Sequence, residues 1–100
     1  MELEEDKIKK IRRHIDRVDT VIITALAERM SLVEDIGRYK KKHEIPVFDE
    51  EREIQIMNAL KRIAKAQGLD EEFVEEVFLS TFNEAKRIQN EIINGPNSAE

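Results

Sequence analysis

Residues 8–40 read "IKKIRRHIDRVDTVIITALAERMSLVEDIGRYK", and this stretch decides the fold. With Ile8 at position a of a heptad, the a column is Ile8, Ile15, Ile22, Arg29 and Ile36. The d column is Ile11, Val18, Ala25, Leu32 and Tyr39. Apolar residues sustained at this spacing form the seam of an amphipathic helix. Leu26, Met30 and Val33 widen the seam mid-helix, so that part faces more than one neighbour. No proline interrupts the run between Asp6 and His43, and Gly37 is its only glycine. A helix is therefore expected over about residues 6–43.

Such a helix, ~35 residues long, would extend ~50 Å at 1.5 Å per residue. A compact globule of about 100 residues has a radius of gyration near 13 Å and a diameter of roughly 33 Å. The helix would overreach its own chain and leave its seam uncovered. A second copy is the simplest cover, so a homodimer joined along this helix is expected.

The next segment, "KKHEIPVFDEERE", breaks the helix, because Pro46 disfavours helical backbone at Ile45. Asp49 suits an N-cap, and Glu50, Glu51 and Glu53 suit an acidic first turn. A second helix is expected over about 50–66, with Ile54, Met57, Leu60, Ile63 and Ala64 apolar and Gly68 at its C′ position. A third follows Asp70, over about 71–94, with Phe73, Val74, Val77, Phe78, Thr81, Phe82, Ala85, Ile88, Ile92 and Ile93 on its apolar side. Residues 95–100, "GPNSAE", read as a frayed tail. Nothing alternates with period 2 long enough to make a strand. The expectation is an all-α chain, a single domain of one long and two shorter helices.

Composition narrows the function. The chain has 100 residues, 40% of them apolar, five aromatic, no Trp and no Cys. Disulfides and thiolate chemistry are therefore excluded. No apolar run approaches the ~20 residues of a membrane span. The opening "MELEEDKIKK" has no apolar h-region, so no leader peptide is expected, and a cytoplasmic protein is. A net charge of −5 does not resemble a nucleic-acid binder. Zinc-ligand, P-loop, dinucleotide-fold and GxSxG patterns are missing, and neither His14 nor His43 is spaced to ligate a metal or activate a serine. No metal or cofactor is expected, and both histidines read as surface residues.

Several polar residues sit where packing does not ask for them. Arg29 occupies the seam, and Lys40 lies 11 residues on. That separation is about 20° past three full turns and ~16 Å along the axis, so the two share a face and can bracket a small anion. Arg12 lies ~100° away around the helix from Arg29 and would join such a cluster only from a second copy. Gln89 stands beside the apolar stripe of the third helix, with Ala85 one turn before it. Asp49, Arg52 and Glu53 open the second helix. Each has a plainer reading. Arg29 would snorkel or pair with Asp19, Glu28 or Asp35. Lys40 would be a solvated cation at a helix end. Gln89 would be a satisfied, half-buried amide. Asp49 and Glu53 would serve as cap and dipole residues, and Gly37 would permit close packing.

Taken together, "IRRHIDRVDTVIITALAERMSLVEDIGRYK", "IPVFDEEREIQIMNAL" and "EAKRIQNEI" resemble the all-helical class of chorismate mutases, from about Ile8 to Ile93. The resemblance implies an intertwined homodimer that converts chorismate to prephenate by an intramolecular [3,3] rearrangement. Such a reaction requires no nucleophile, cofactor or metal, only a substrate dianion held in its compact form and stabilised as a C–O bond breaks. It implies that Arg29 binds one substrate carboxylate and Arg12 of the other subunit binds the second, as bidentate forks. Lys40 and Gln89 would donate to the ether oxygen. Glu53, with the backbone at Asp49, would take the ring hydroxyl, and Arg52 would complete a cationic wall. Ile36 and Phe82 would be apolar walls. The resemblance departs at Ala85, where a family member has a serine that contacts a carboxylate. Alternatives left open are an isochorismate pyruvate lyase on the same scaffold and a catalytically silent helical dimer, in which Arg29 would only set register. A nucleic-acid role for "KKKH" is a distant further option.

Overall fold

A computed structural model describes residues 2–95. Three helices account for nearly all of it: α1 (Glu2–His43), α2 (Glu50–Ala66) and α3 (Glu71–Asn94). The expected long helix and two shorter ones are thus present, and the described residues contain no strand. The tail expected at 95–100 falls, beyond Gly95, outside the described residues. α1 begins about a turn earlier than the seam suggests. Glu4, Glu5 and Asp6 place negative charge against the positive end of the helix dipole, which favours extending that end.

Each helix end has a local chemical cause. α1 finishes on Lys40, Lys41, Lys42 and His43, whose cationic side chains suit its negative end. Glu44 then adopts the left-handed conformation at φ 55°. The Glu44 amide donates to the Lys41 carbonyl at 3.4 Å, and the Ile45 amide to the Lys40 carbonyl at 2.9 Å. This pair of bonds is a Schellman cap, here closed by a residue with a side chain where glycine is usual. Pro46 prevents resumption of the helix. α2 starts on Asp49, whose Oδ1 accepts from the Arg52 amide at 3.1 Å. It ends in the same kind of cap, with Gly68 at φ 74° and the Leu69 amide donating to the Ala64 carbonyl at 2.8 Å. α3 starts on Asp70, whose Oδ2 accepts from the Phe73 amide at 2.9 Å.

The described residues fall into two units, divided within α1 between Leu32 and Val33. In the second unit α2 packs on α3. Its core is small: Val33, Met57, Ala64, Val74, Phe82 and Ala85, together with Thr81 and Gln89, are buried. The Thr81 hydroxyl is satisfied by the Val77 carbonyl at 2.8 Å. Lys61 and Glu75 link α2 to α3 at 3.2 Å across the rim. At the C-terminal end of α1, Gly37 is buried and lies directly against α3. A Cβ at Gly37 would stand 3.0 Å from Ile92 Cδ1, 3.3 Å from Gln89 Cγ and 3.4 Å from Gln89 Cα. A side chain of any size would hold the two helices apart.

The first unit is the N-terminal three quarters of α1. Its described side chains include none that is buried. Ile8, Ile11, Ile15, Val18 and Ile22, the seam itself, are each about half exposed, between 45% and 53%. An apolar stripe of this length left in water is unusual for a chain that acts alone.

Candidate active site

Most of the polar residues singled out above lie in the second unit, at the end of α1 and the facing parts of α2 and α3. Lys40 is half-buried, and its Nζ donates to the Val47 carbonyl at 2.8 Å. The reading of Lys40 as a solvated helix-end cation therefore fails: the side chain turns back over the α1–α2 loop and ties it down. An ammonium group has three hydrogens. The Val47 bond uses one of them.

Gln89 departs further from its plainer reading. It is 7% exposed, not half-buried. Its Nε2 donates to the Ala85 carbonyl at 3.3 Å, a long bond within its own helix, and its Oε1 is buried with no partner. An orphaned buried acceptor costs about 1–3 kcal/mol. Gly37 explains how the amide comes to be here, because only a residue without a side chain lets the Gln89 stem lie flat against α1. Lys40 is one turn beyond Gly37 on α1, so the ammonium and the amide belong to neighbouring positions across the same helix contact.

Ala85 is buried at 7% exposure one turn before Gln89, and its carbonyl receives the amide bond. Its methyl group offers no hydrogen bond to a ligand. Phe82 is buried beside Phe78, with ring centroids 6.2 Å apart. Ile36 is about half exposed.

At the start of α2, Asp49 is fully engaged as the cap. Its side chain holds the Arg52 amide, and its carbonyl accepts from the Glu53 amide at 3.0 Å. Arg52 projects outward and is exposed. Glu53 turns toward α3, where its Oε2 lies 3.1 Å from Lys86 Nζ. Lys86 also stands 4.8 Å from the centre of the Phe48 ring. The partnership of Glu53 with Lys86 spans 33 positions of sequence, and reading along the chain did not find it. Neither did it find the Val47 carbonyl as partner of Lys40.

Arg29 and Arg12 belong to the first unit. Arg29 is half-buried and has a polar or electrostatic partner. Arg12 is exposed and lines a shallow surface hollow with Glu4, Glu5, Ile8 and Lys9. His14 is exposed, and its Nδ1 accepts from Arg17 at 2.8 Å. The described residues contain no cluster of His, Asp or Glu that would hold a metal ion.

The chain resembles known proteins along most of its length. Residues 11–90 match the family of chorismate mutases of type II. The chorismate mutase of Methanocaldococcus jannaschii is 31% identical over 88% of this chain and 89% of its own length. The T-protein of Haemophilus influenzae is 29% identical over 86% of this chain, which spans only 23% of that longer protein. The 4-amino-4-deoxychorismate mutase of Streptomyces pristinaespiralis is 26% identical over 88% of this chain and 68% of its length.

Proposed function

The chain belongs to the type II chorismate mutase family and is an isomerase acting on chorismate, and we propose that it works as a homodimer whose two sites each draw on both copies. The observation that carries the site is Gln89: a buried amide with an orphaned oxygen, pressed against α1 one turn from Lys40. A structural amide in a finished core would have found a partner. This one keeps one Nε2 hydrogen to give a ligand, while its Oε1 needs a donor from elsewhere in the assembled site.

In this reading the substrate supplies every reacting atom. Its ether C–O bond breaks as a C–C bond forms within the same molecule, giving prephenate, and no proton or electron leaves. The chain has two tasks. It holds the dianion in its compact conformer, which removes the entropic part of the barrier. It also places fixed donors at the ether oxygen, where negative charge develops. Lys40 and the second hydrogen of Gln89 Nε2 are those donors. Arg29 grips one carboxylate, and Arg12 of the second copy grips the other. Arg52 adds positive potential at the rim. Glu53 accepts from the ring hydroxyl, beside the capped turn at Asp49. Ile36 and Phe82 wall the ring, and Ala85 contributes only its shape.

The half-exposed stripe Ile8, Ile11, Ile15, Val18 and Ile22 supports the dimer, because a second α1 lying along it removes a continuous apolar surface from water. A cytoplasmic location belongs to the same reading, and no described helix is long and apolar enough to cross a membrane. The test is a chorismate-depletion assay with product identification, alongside sedimentation equilibrium. Prephenate from a dimer is expected. Pyruvate from isochorismate, without prephenate from chorismate, would instead identify a lyase.

A further inference from the structure

We propose that Lys86 sets the choice of ring substituent, making the site selective for a substrate that presents a neutral hydroxyl rather than an ammonium group to Glu53. The inference rests on the reading of Glu53 as the acceptor for that substituent. It goes beyond that reading by assigning a role to a residue outside the set described above.

Three observations converge on Lys86. Its Nζ lies 3.1 Å from Glu53 Oε2, joining α3 to the first turn of α2. The same ammonium lies 4.8 Å from the centre of the Phe48 ring, in the loop before α2. Both charged side chains are largely covered, with exposures of 28% and 25%. Most exposed pairs on a helical surface are neighbours three or four positions apart on one helix, as Arg87 and Glu84 are here. This pair instead links two helices, and an aromatic face holds its cation in place.

The chemistry follows from the charge count. An ionised carboxylate only accepts hydrogen bonds. With Lys86 on Oε2, Oε1 stays open to one more donor, while the charge of Glu53 is already balanced. A ring hydroxyl asks for an acceptor and brings no charge, so it fits. An amine at the same ring position is protonated near neutral pH. It would sit roughly 5–6 Å from Lys86 Nζ, the separation of two donors on opposite oxygens of one carboxylate. Like charges at that distance in a partly screened site disfavour binding by about tenfold or more. Without Lys86, Glu53 would carry an unbalanced negative charge and suit the ammonium instead. Lys86 is thus a positioning and selecting residue that acts through Glu53, with no contact to the reacting bond.

The test compares kcat/KM for chorismate and 4-amino-4-deoxychorismate in the wild type, Lys86→Met, Lys86→Gln and Lys86→Arg, each checked for a cooperative thermal melt. The wild type is expected to prefer chorismate. The ratio of the two kcat/KM values should fall by about tenfold or more in Lys86→Met and Lys86→Gln, and Lys86→Arg should retain most of it. A general packing defect slows both substrates together and leaves the ratio alone. In a Glu53→Gln background the Lys86 substitutions should no longer move the ratio. A wild type that converts chorismate, with a ratio unmoved by Lys86→Met and Lys86→Gln, overturns this inference alone. A wild type inactive on chorismate overturns the proposed function and this inference with it.

Discussion

Replacing Gly37 with alanine pits two local energies against each other, and the structure allows both to be estimated. Gly37 lies in the interior of α1, where alanine is favoured over glycine by about 0.5–1 kcal/mol. The new methyl would lie 3.0 Å from Ile92 Cδ1, 3.3 Å from Gln89 Cγ and 3.4 Å from Gln89 Cα. The first neighbour is the tip of a flexible side chain and can rotate away. The other two belong to the stem and backbone of Gln89, and yield only if α3 shifts by a few tenths of an ångström. Overpacking of this kind costs about 1–3 kcal/mol. The expected net effect is a loss of about 0.5–2 kcal/mol, read as a lower midpoint in urea denaturation with an unchanged m value. Activity should suffer more than stability, because the displaced residue is the proposed ether-oxygen donor. A drop in kcat of about tenfold, with KM little changed, is expected from that misplacement. Adding Ile92→Val removes Cδ1, the tightest contact, but leaves the Gln89 stem against the methyl. Because Cδ1 could already rotate away, the double variant should recover neither stability nor kcat. If Gly37→Ala is more stable than the wild type and equally active, the close approach does not position Gln89 and the reasoning fails.

Lys40→Ala removes a charge-assisted donor worth about 1.5–3 kcal/mol, so kcat/KM for chorismate should fall at least tenfold; an unchanged value would return Lys40 to its bond with Val47 alone. Mixing the impaired Lys40→Ala and Arg12→Ala proteins, then unfolding and refolding them together, should raise activity to roughly a quarter of the wild-type value through mixed dimers with one intact site. No restoration would show that Arg12 serves its own chain or neither. Glu44→Gly relieves a left-handed residue and removes a carboxylate from the negative end of α1, so thermal unfolding should shift upward by about 0.5–1 kcal/mol in stability; a lower midpoint would contradict the cap. The two-pronged hydrogen bond from Arg87 holds the Glu84 carboxyl below its ordinary value of 4.5. A depressed carboxyl contributes stability above its unfolded value, and that contribution fades as the pH falls through the folded one. The gap in melting temperature between wild type and Arg87→Ala should therefore be small at pH 7 and close in acid; a gap that widens in acid would refute the pairing.

Much of this protein is written in interactions that reach no further than four or five positions along the chain. The isoleucine seam of α1, the caps Asp49 and Asp70, the acidic first turns, Pro46 and Gly68 each act on their immediate neighbours. For that reason the three helices and the breaks between them could be read directly. The types of residue suited to a small dianion were legible too, because Arg29, Lys40 and Gln89 violate an otherwise regular apolar pattern. The left-handed cap at Glu44 was not, since nothing about a glutamate announces it; Pro46 stops the helix, and the neighbouring backbone bonds impose the turn. The other decisions belong to the tertiary structure. Which face of α3 meets α1, and how closely, depends on the missing side chain at Gly37 and the shape of the core around it. That packing buries Gln89 and orphans its oxygen, where sequence spacing suggested a satisfied amide. It brings Lys40 onto the Val47 carbonyl and sets Lys86 of α3 against Glu53 of α2. Contacts between helices are fixed by rotation and separation, quantities that periodicity leaves free until the core has closed.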